Sequence, residues 1–153
     1  MSKALDAPLP SLEAASDLLD PNIPAVEFGP GTGRITRFLK NTDLTLVEID
    51  SKFCGLLHDM FPRARVVHMS AVDFLLQQQS PIQIVTSIPL LNNPESSRLK
   101  EVIRASYEAG IIQKLVAYTY GPVSPYGGCG FRVEKKFQLV LRNIPPARVW
   151  VYG

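Results

Sequence analysis

The sequence holds only two cysteines, Cys54 and Cys129, far apart and in no C-x-x-C pair. Neither a disulfide framework nor a cysteine-built zinc site is expected; buried or free thiols in a reducing compartment are. No cationic start is followed by an apolar h-region, so no secretory leader is expected. The longest apolar runs fall far short of the roughly 20 residues that cross a bilayer. Internal repeats and low-complexity tracts are absent. A surplus of one charge is also missing: 16 basic and 14 acidic side chains give +2, which on its own makes no case for nucleic acid. These absences leave a cytoplasmic protein, soluble or at most peripheral on the inner face of a membrane. What is present is apolar: 46% of 153 residues, enough for one domain, residues 1–153, around a single core.

Short apolar runs alternate with helix-like segments. The runs are Ala25–Phe28, Leu44–Ile49, Arg65–Met69, Ile82–Ile88 and Lys114–Tyr120. Between them, Thr32–Lys40, Ser51–Phe61, Ala71–Gln78 and Pro94–Glu108 carry apolar residues at spacings of three and four, which predicts helices. Such alternation implies right-handed crossovers and a parallel sheet covered on both faces. The end breaks the rhythm. "KFQLVLRNIPPARVWVYG" has no room for a helix between Leu141 and Val149, so it predicts an antiparallel hairpin. "GPVSPYGGCGFRVEK" before it reads as loop, and Leu12–Leu19 as a short helix. The fold class is therefore α/β: five parallel strands, a closing antiparallel hairpin, and helices on both faces.

The chemistry concentrates in "EFGPGTG", Glu27 to Gly33, between the first run and the first helix-like segment. In an open parallel sheet, ligands sit beyond the carboxyl ends of the strands, and glycines let the backbone approach them. The pattern is neither G-x-G-x-x-G nor a P-loop. Glu48 ends the second run about 20 residues on, where a carboxylate can accept both hydroxyls of a ribose. Glu27 beside the glycines would repel a pyrophosphate and suits a cation, such as the ammonium and sulfonium of S-adenosylmethionine. The plainer alternative is a turn that only links strand to helix, with both carboxylates solvated.

"VEFGPGTG", "LVEID" and the closing hairpin resemble class I S-adenosylmethionine-dependent methyltransferases over nearly the whole chain. The resemblance implies a Rossmann-like sheet of order 3-2-1-4-5-7-6 and S-adenosylmethionine as cofactor. It implies that Glu27, Gly29, Gly31 and Gly33 wrap its methionine part and that Glu48 holds the ribose. It also implies that Ser70 and Ala71 meet the adenine and that Ser87 lines the cofactor site. That family often has Gly-Asp-Ala after the third strand, with the aspartate on the adenine amino group. Met69-Ser70-Ala71 stands here, and a serine accepts a weaker hydrogen bond than a carboxylate.

"SIPLLN", "YTYGPVSP" and "NIPPARVWVY" narrow the likeness to bacterial phospholipid N-methyltransferases, which convert phosphatidylethanolamine stepwise towards phosphatidylcholine. Base-methylating enzymes carry Asn/Asp-Pro-Pro-Tyr or a similar motif after the fourth strand. Ser87-Ile88-Pro89-Leu90 keeps the proline but lacks the polar residue and the aromatic that a flipped base needs. The expected partner is thus a phospholipid at a membrane surface, with no nucleic acid and no metal, and the expected state is a monomer. Family members carry an amphipathic N-terminal segment; this chain begins inside the family pattern, so weak membrane affinity is expected. An rRNA adenine N6-dimethyltransferase-like enzyme and an inactive cofactor-binding domain are the alternatives.

For the acceptor, Tyr118, Tyr120 and Tyr126 are the candidate catalytic residues, holding the amine and stabilising the methylated ammonium by cation–π contact. Tyr118 and Tyr120 share one face of an alternating strand. Pro89, Leu90, Asn92, Arg98 and Arg132 are the candidate substrate contacts, the arginines for the lipid phosphate. His58 and His68 are read as core or surface residues, and Trp150 as core.

Overall fold

The computed structural model describes residues 17–41, 43–90, 93–119, 124–139 and 147–153. Seven strands form one sheet: β1 (Ala25–Phe28), β2 (Leu44–Glu48), β3 (Arg65–His68), β4 (Ile82–Thr86), β5 (Ile112–Thr119), β6 (Val133–Leu139) and β7 (Ala147–Tyr152). Their order is β3-β2-β1-β4-β5-β7-β6. The first five are parallel, and β7 pairs antiparallel with both β5 and β6. The five parallel strands and the antiparallel closing pair are what the sequence pattern predicts, and the strand order is the one the resemblance implies. β1, β2 and β4 are buried along their whole length, because parallel strands inside a covered sheet need apolar side chains on both faces. β3, at the sheet edge, is only partly covered.

Among the described residues, three α-helices cover the sheet: α1 (Ser51–Met60), α2 (Ala71–Gln77) and α3 (Ser96–Glu108). On one face α1 inserts Leu57 among Leu19, Ala25, Leu46, Val85 and Val116. On the other, α2 and α3 bring Val72, Phe74, Leu75, Leu99 and Ile103 against Phe28, Ile84 and Leu115. Asp50 caps α1 by accepting from the Lys52 amide at 2.8 Å. Ser70 caps α2 by accepting from the Asp73 amide at 3.1 Å. α3 stops at Gly110, whose φ of +77° and the Ile111 amide bonded to the Ser106 carbonyl end the helix in a left-handed turn.

Two departures from the sequence pattern matter. Thr32–Lys40 forms no α-helix, only a short 3-10 turn at Thr36–Phe38. The glycine turn extends through Gly33 at φ +83°, and the Thr36 hydroxyl is drawn inward to Glu27. Too few residues remain before β2 for a cooperative helix. Second, Gln83 lies fully buried in β4. Its amide nitrogen donates to the carbonyls of Asp20 and Ile23 at 2.6 and 2.9 Å, and its oxygen accepts from the Asp20 amide at 2.7 Å. A polar residue in an apolar strand thereby ties the segment before β1 to the foot of the sheet. The proposed Leu12–Leu19 helix and the turn of the terminal hairpin lie largely outside the described residues. Among the described residues, no helix is long and apolar enough to cross a membrane.

Candidate functional site

A cavity of about 540 Å³ opens beyond the carboxyl ends of β3, β2, β1 and β4. β3 and the start of α2 supply Met69, Ser70, Ala71 and Asp73; β2 supplies Val47, Glu48 and Ile49. β1 supplies Gly29, β4 supplies Ile88, and the start of α3 supplies Asn93, Glu95, Arg98 and Leu99. The cavity sits where strand order reverses, between β1 and β4, as open α/β sheets dictate. With neighbouring strands spaced about 4.8 Å apart, four strand ends span roughly 14 Å.

Glu48 is the best-held charge at this rim. One carboxylate oxygen accepts from the amides of Ile49 and Asp50 at 3.0 and 3.1 Å, and the other from the Gly31 amide at 3.0 Å. The glycine turn is therefore closed onto Glu48. Gly29, Gly31 and Gly33 all have positive φ, at +67°, +57° and +83°. At Gly29 a Cβ would lie 2.8 Å from Ile88, and at Gly33 it would lie 2.6 Å from the Phe61 ring. The first glycine keeps the cavity open, whereas the third lets the turn pack on α1.

Glu27 does not line the cavity. It is 1% exposed, and its carboxylate accepts from the Thr36 hydroxyl at 2.6 Å. Burial pushes its pKa up to about 7; the Thr36 bond opposes the shift and the neighbouring Glu48 adds to it. Tyr118 sits on the same sheet face as Glu27. Its hydroxyl is buried, and burial together with Glu27 raises its pKa, so it stays neutral. Tyr126 lies on the opposite face, 1% exposed within the core, with its ring edge-on to Tyr152. Burial raises its pKa too; Thr86 opposes the shift without a hydrogen bond of good geometry to its hydroxyl. Neither ring lines the cavity, so the expectation that tyrosines hold the amine finds them in packed positions on two different faces. Tyr120 and Asn92 lie outside the described residues.

Of the other expected residues, Gly29, Glu48, Ser70, Ala71 and Arg98 meet in the cavity. The Ser70 hydroxyl caps α2, which takes one of its two acceptor sites. Ser87, Pro89 and Leu90 follow β4 without lining the cavity; Pro89 offers its carbonyl to the Asn93 side chain at 3.2 Å. Arg132 is remote. It precedes β6 at the far edge of the sheet, where its backbone pairs with Gly153. His58 and His68 are exposed on α1 and β3, and Trp150 is buried, as the pattern suggested.

The lining residues that escaped the sequence reading include Ile49, Asp73, Asn93 and Glu95. Asp73 is three residues beyond the position where a carboxylate was sought, one helical turn along α2. Asn93 bridges two backbone groups, donating to the Pro89 carbonyl and accepting from the Glu95 amide at 3.0 Å. The doublet Asn92-Asn93 before a proline was the available signal, since asparagine there organises turns. Glu95 and Asp73 carried no signal beyond being acidic residues near helix starts.

No protein-family model matches the chain, and no curated protein sequence matches it. Solved structures do. A precorrin-6y C5,15-methyltransferase from Geobacter metallireducens superposes with a TM-score of 0.66 at 10% identity, covering 93% of this chain and 84% of that one. A magnesium protoporphyrin IX methyltransferase from Synechocystis, solved with bound SAM, gives 0.63 at 14% identity over 92% and 73%. The 23S rRNA methyltransferase ErmE gives 0.62 at 21% identity over 92% and 66%. Their acceptors differ widely, while the fold is common to all. Together with strand order 3-2-1-4-5-7-6 and the cavity at its switch point, these likenesses show that the chain has the Rossmann-like fold of the class I methyltransferases.

Proposed function

We propose that this chain uses S-adenosylmethionine to methylate the headgroup amine of phosphatidylethanolamine and its methylated intermediates. The observation that carries the choice of acceptor is the make-up of the cavity. Among the described residues no aromatic ring lines it, so none of these offers a flipped nucleobase a stacking partner. A small aliphatic amine needs none. The mouth also suits a lipid. Ile49, 69% exposed, lines the cavity and leads into an apolar strip on α1, Phe53, Leu56 and Met60, at spacings of three and four.

The lining suits the cofactor. At the β2–β3 end the charged lining residues are Glu48 and Asp73, both acidic, which favours a cationic nucleoside over a pyrophosphate. Ile49, Met69 and Ala71 offer an apolar slot at the β2–β3 end for the adenine. Asp73, a carboxylate, would accept from the adenine amino group more strongly than Ser70, whose hydroxyl also caps the helix. A carboxylate has about four lone-pair sites, and three of Glu48's are taken by backbone amides. Holding both ribose hydroxyls therefore requires one of the three amides to yield its place.

When bound, S-adenosylmethionine supplies a methyl group on a sulfonium for in-line displacement by an amine nitrogen. The chain's part is to align the nitrogen and exclude water. With the nucleoside at β2–β3, the amine approaches over β1 and β4, between Gly29, Ile88 and the start of α3. The neutral tyrosines Tyr118 and Tyr126 take no proton, so the ammonium proton leaves to solvent.

The test is incubation with methyl-labelled cofactor and either phosphatidylethanolamine in mixed micelles or RNA. Label in the lipid and in its mono- and dimethylated forms is expected. Label in RNA alone would reverse the assignment.

A further inference from the structure

Two charged side chains at the acceptor end of the cavity have no assigned task as a pair. Glu95 is the residue that starts α3, and Arg98 lies three positions on, so the two project from neighbouring points of one helical surface. Both are exposed and both line the cavity. Neither forms an ion pair with another described residue, and they form none with each other. Their placement is fixed from below. The Asn93 side chain holds the Glu95 amide at 3.0 Å and the Pro89 carbonyl at 3.2 Å, while Leu99, 3% exposed, anchors the helix. An opposite-charge pair kept apart at a cavity rim is complementary to a ligand that carries both charges itself.

We propose that Glu95 and Arg98 form a clamp for a zwitterion, with Glu95 on a primary or methylated ammonium and Arg98 on the phosphodiester two carbons away. This deepens the proposed function, on which its choice of ligand rests. Arg98 provides the forked donor that suits phosphate oxygens, and Glu95 provides the counter-charge. The pair lies beyond β4, at the opposite end of the cavity from the β2–β3 slot assigned to the nucleoside. A cationic amine held by Glu95 and an anionic phosphate held by Arg98 would orient the headgroup in one direction only. An amine lacking the phosphate, or a phosphate lacking the amine, would engage half of the clamp.

The experiment is equilibrium binding to the chain saturated with S-adenosylhomocysteine. The ligands are sn-glycero-3-phosphoethanolamine, sn-glycero-3-phosphoglycerol and ethanolamine, with dihexanoyl-phosphatidylethanolamine below its micelle concentration as the lipid arm. The wild type should bind the phosphoethanolamine compounds about tenfold more tightly than either half-ligand, the expected size of one charge-assisted contact. Equal affinity for the two phosphoethanolamine ligands would identify a headgroup site, and tighter binding of the acylated one a headgroup site extended by an acyl groove; both support the clamp. E95Q should abolish the preference over phosphoglycerol, R98Q the preference over ethanolamine, and R98K should restore part of the latter. S-adenosylhomocysteine affinity should stay unchanged in all three variants.

Several results would overturn the clamp: no wild-type binding of any phosphoethanolamine ligand, variants with unaltered preferences, or a matching loss of S-adenosylhomocysteine affinity. The last would assign the pair to the amino-acid end of the cofactor. The clamp and the proposed function fail separately. Lipid methylation with insensitive variants would sink the clamp alone. A Glu95- and Arg98-dependent headgroup site without lipid methylation would sink the function alone.

Discussion

Replacing Glu27 by glutamine isolates the energetics of the buried carboxylate under the glycine turn. The substitution nearly preserves shape, and the new carbonyl can still accept from Thr36, which now donates at 2.6 Å. What disappears is the ionisation. Burial raises the Glu27 pKa from 4.5 to about 7, so between those values the folded chain holds a proton that the unfolded chain has released. Stability from this group is therefore complete below about pH 4.5 and declines as pH rises through about 7. At roughly 1.4 kcal/mol per pH unit, the wild type should lose about 3 kcal/mol across that window that E27Q does not lose. Urea unfolding of both chains at half-unit steps from pH 4.5 to 8.5 measures it, and other carboxylates cancel in the difference. The stability of E27Q relative to wild type should rise steadily and level off above pH 7. A difference independent of pH would refute the reasoning, because it would mean that Glu27 is ionised at its ordinary pKa despite being enclosed.

The same titration should appear in ligand binding. If ionised Glu27 reads the cofactor's positive charge, affinity for S-adenosylmethionine should climb up to about tenfold from pH 6 to 8, with a flat profile in E27Q, both followed by calorimetry. Glu48→Ala should weaken S-adenosylhomocysteine binding by about tenfold or more, and should cost stability as well, since the amides of Gly31, Ile49 and Asp50 lose their acceptor. Alanine at the three turn glycines should destabilise in the order Gly33, Gly29, Gly31. Gly33→Ala adds a clash with the packed Phe61 ring to left-handed strain, for about 2 kcal/mol or more, whereas Gly31→Ala meets open space and carries only the strain, about 1 kcal/mol; thermal melts would rank them. Ser70→Ala should lower stability by about 1 kcal/mol through its cap and leave cofactor affinity nearly unchanged, and a large loss of affinity would return Ser70 to the adenine.

The sequence by itself determined the sheet. Apolar runs of four to eight residues separated by helical spacings admit few packings, and a closing segment too short for a crossover had to turn back on itself. The ligand edge was equally legible, because glycines at β1 and an acid ending β2 act through backbone and strand position, which periodicity reveals. Tertiary structure decided where side chains spend their polar groups. Glu27 and Glu48 look alike in the sequence, yet one is enclosed with Thr36 and the other is held at the cavity rim by three amides. Tyr118 and Tyr126 stand eight residues apart and pack on opposite faces of the sheet. Asp73, Asn93 and Glu95 reach the cavity because α2 and α3 begin at its rim. No local rule carries that information: which end of a helix borders a cavity depends on strand order, and strand order is a property of the whole sheet.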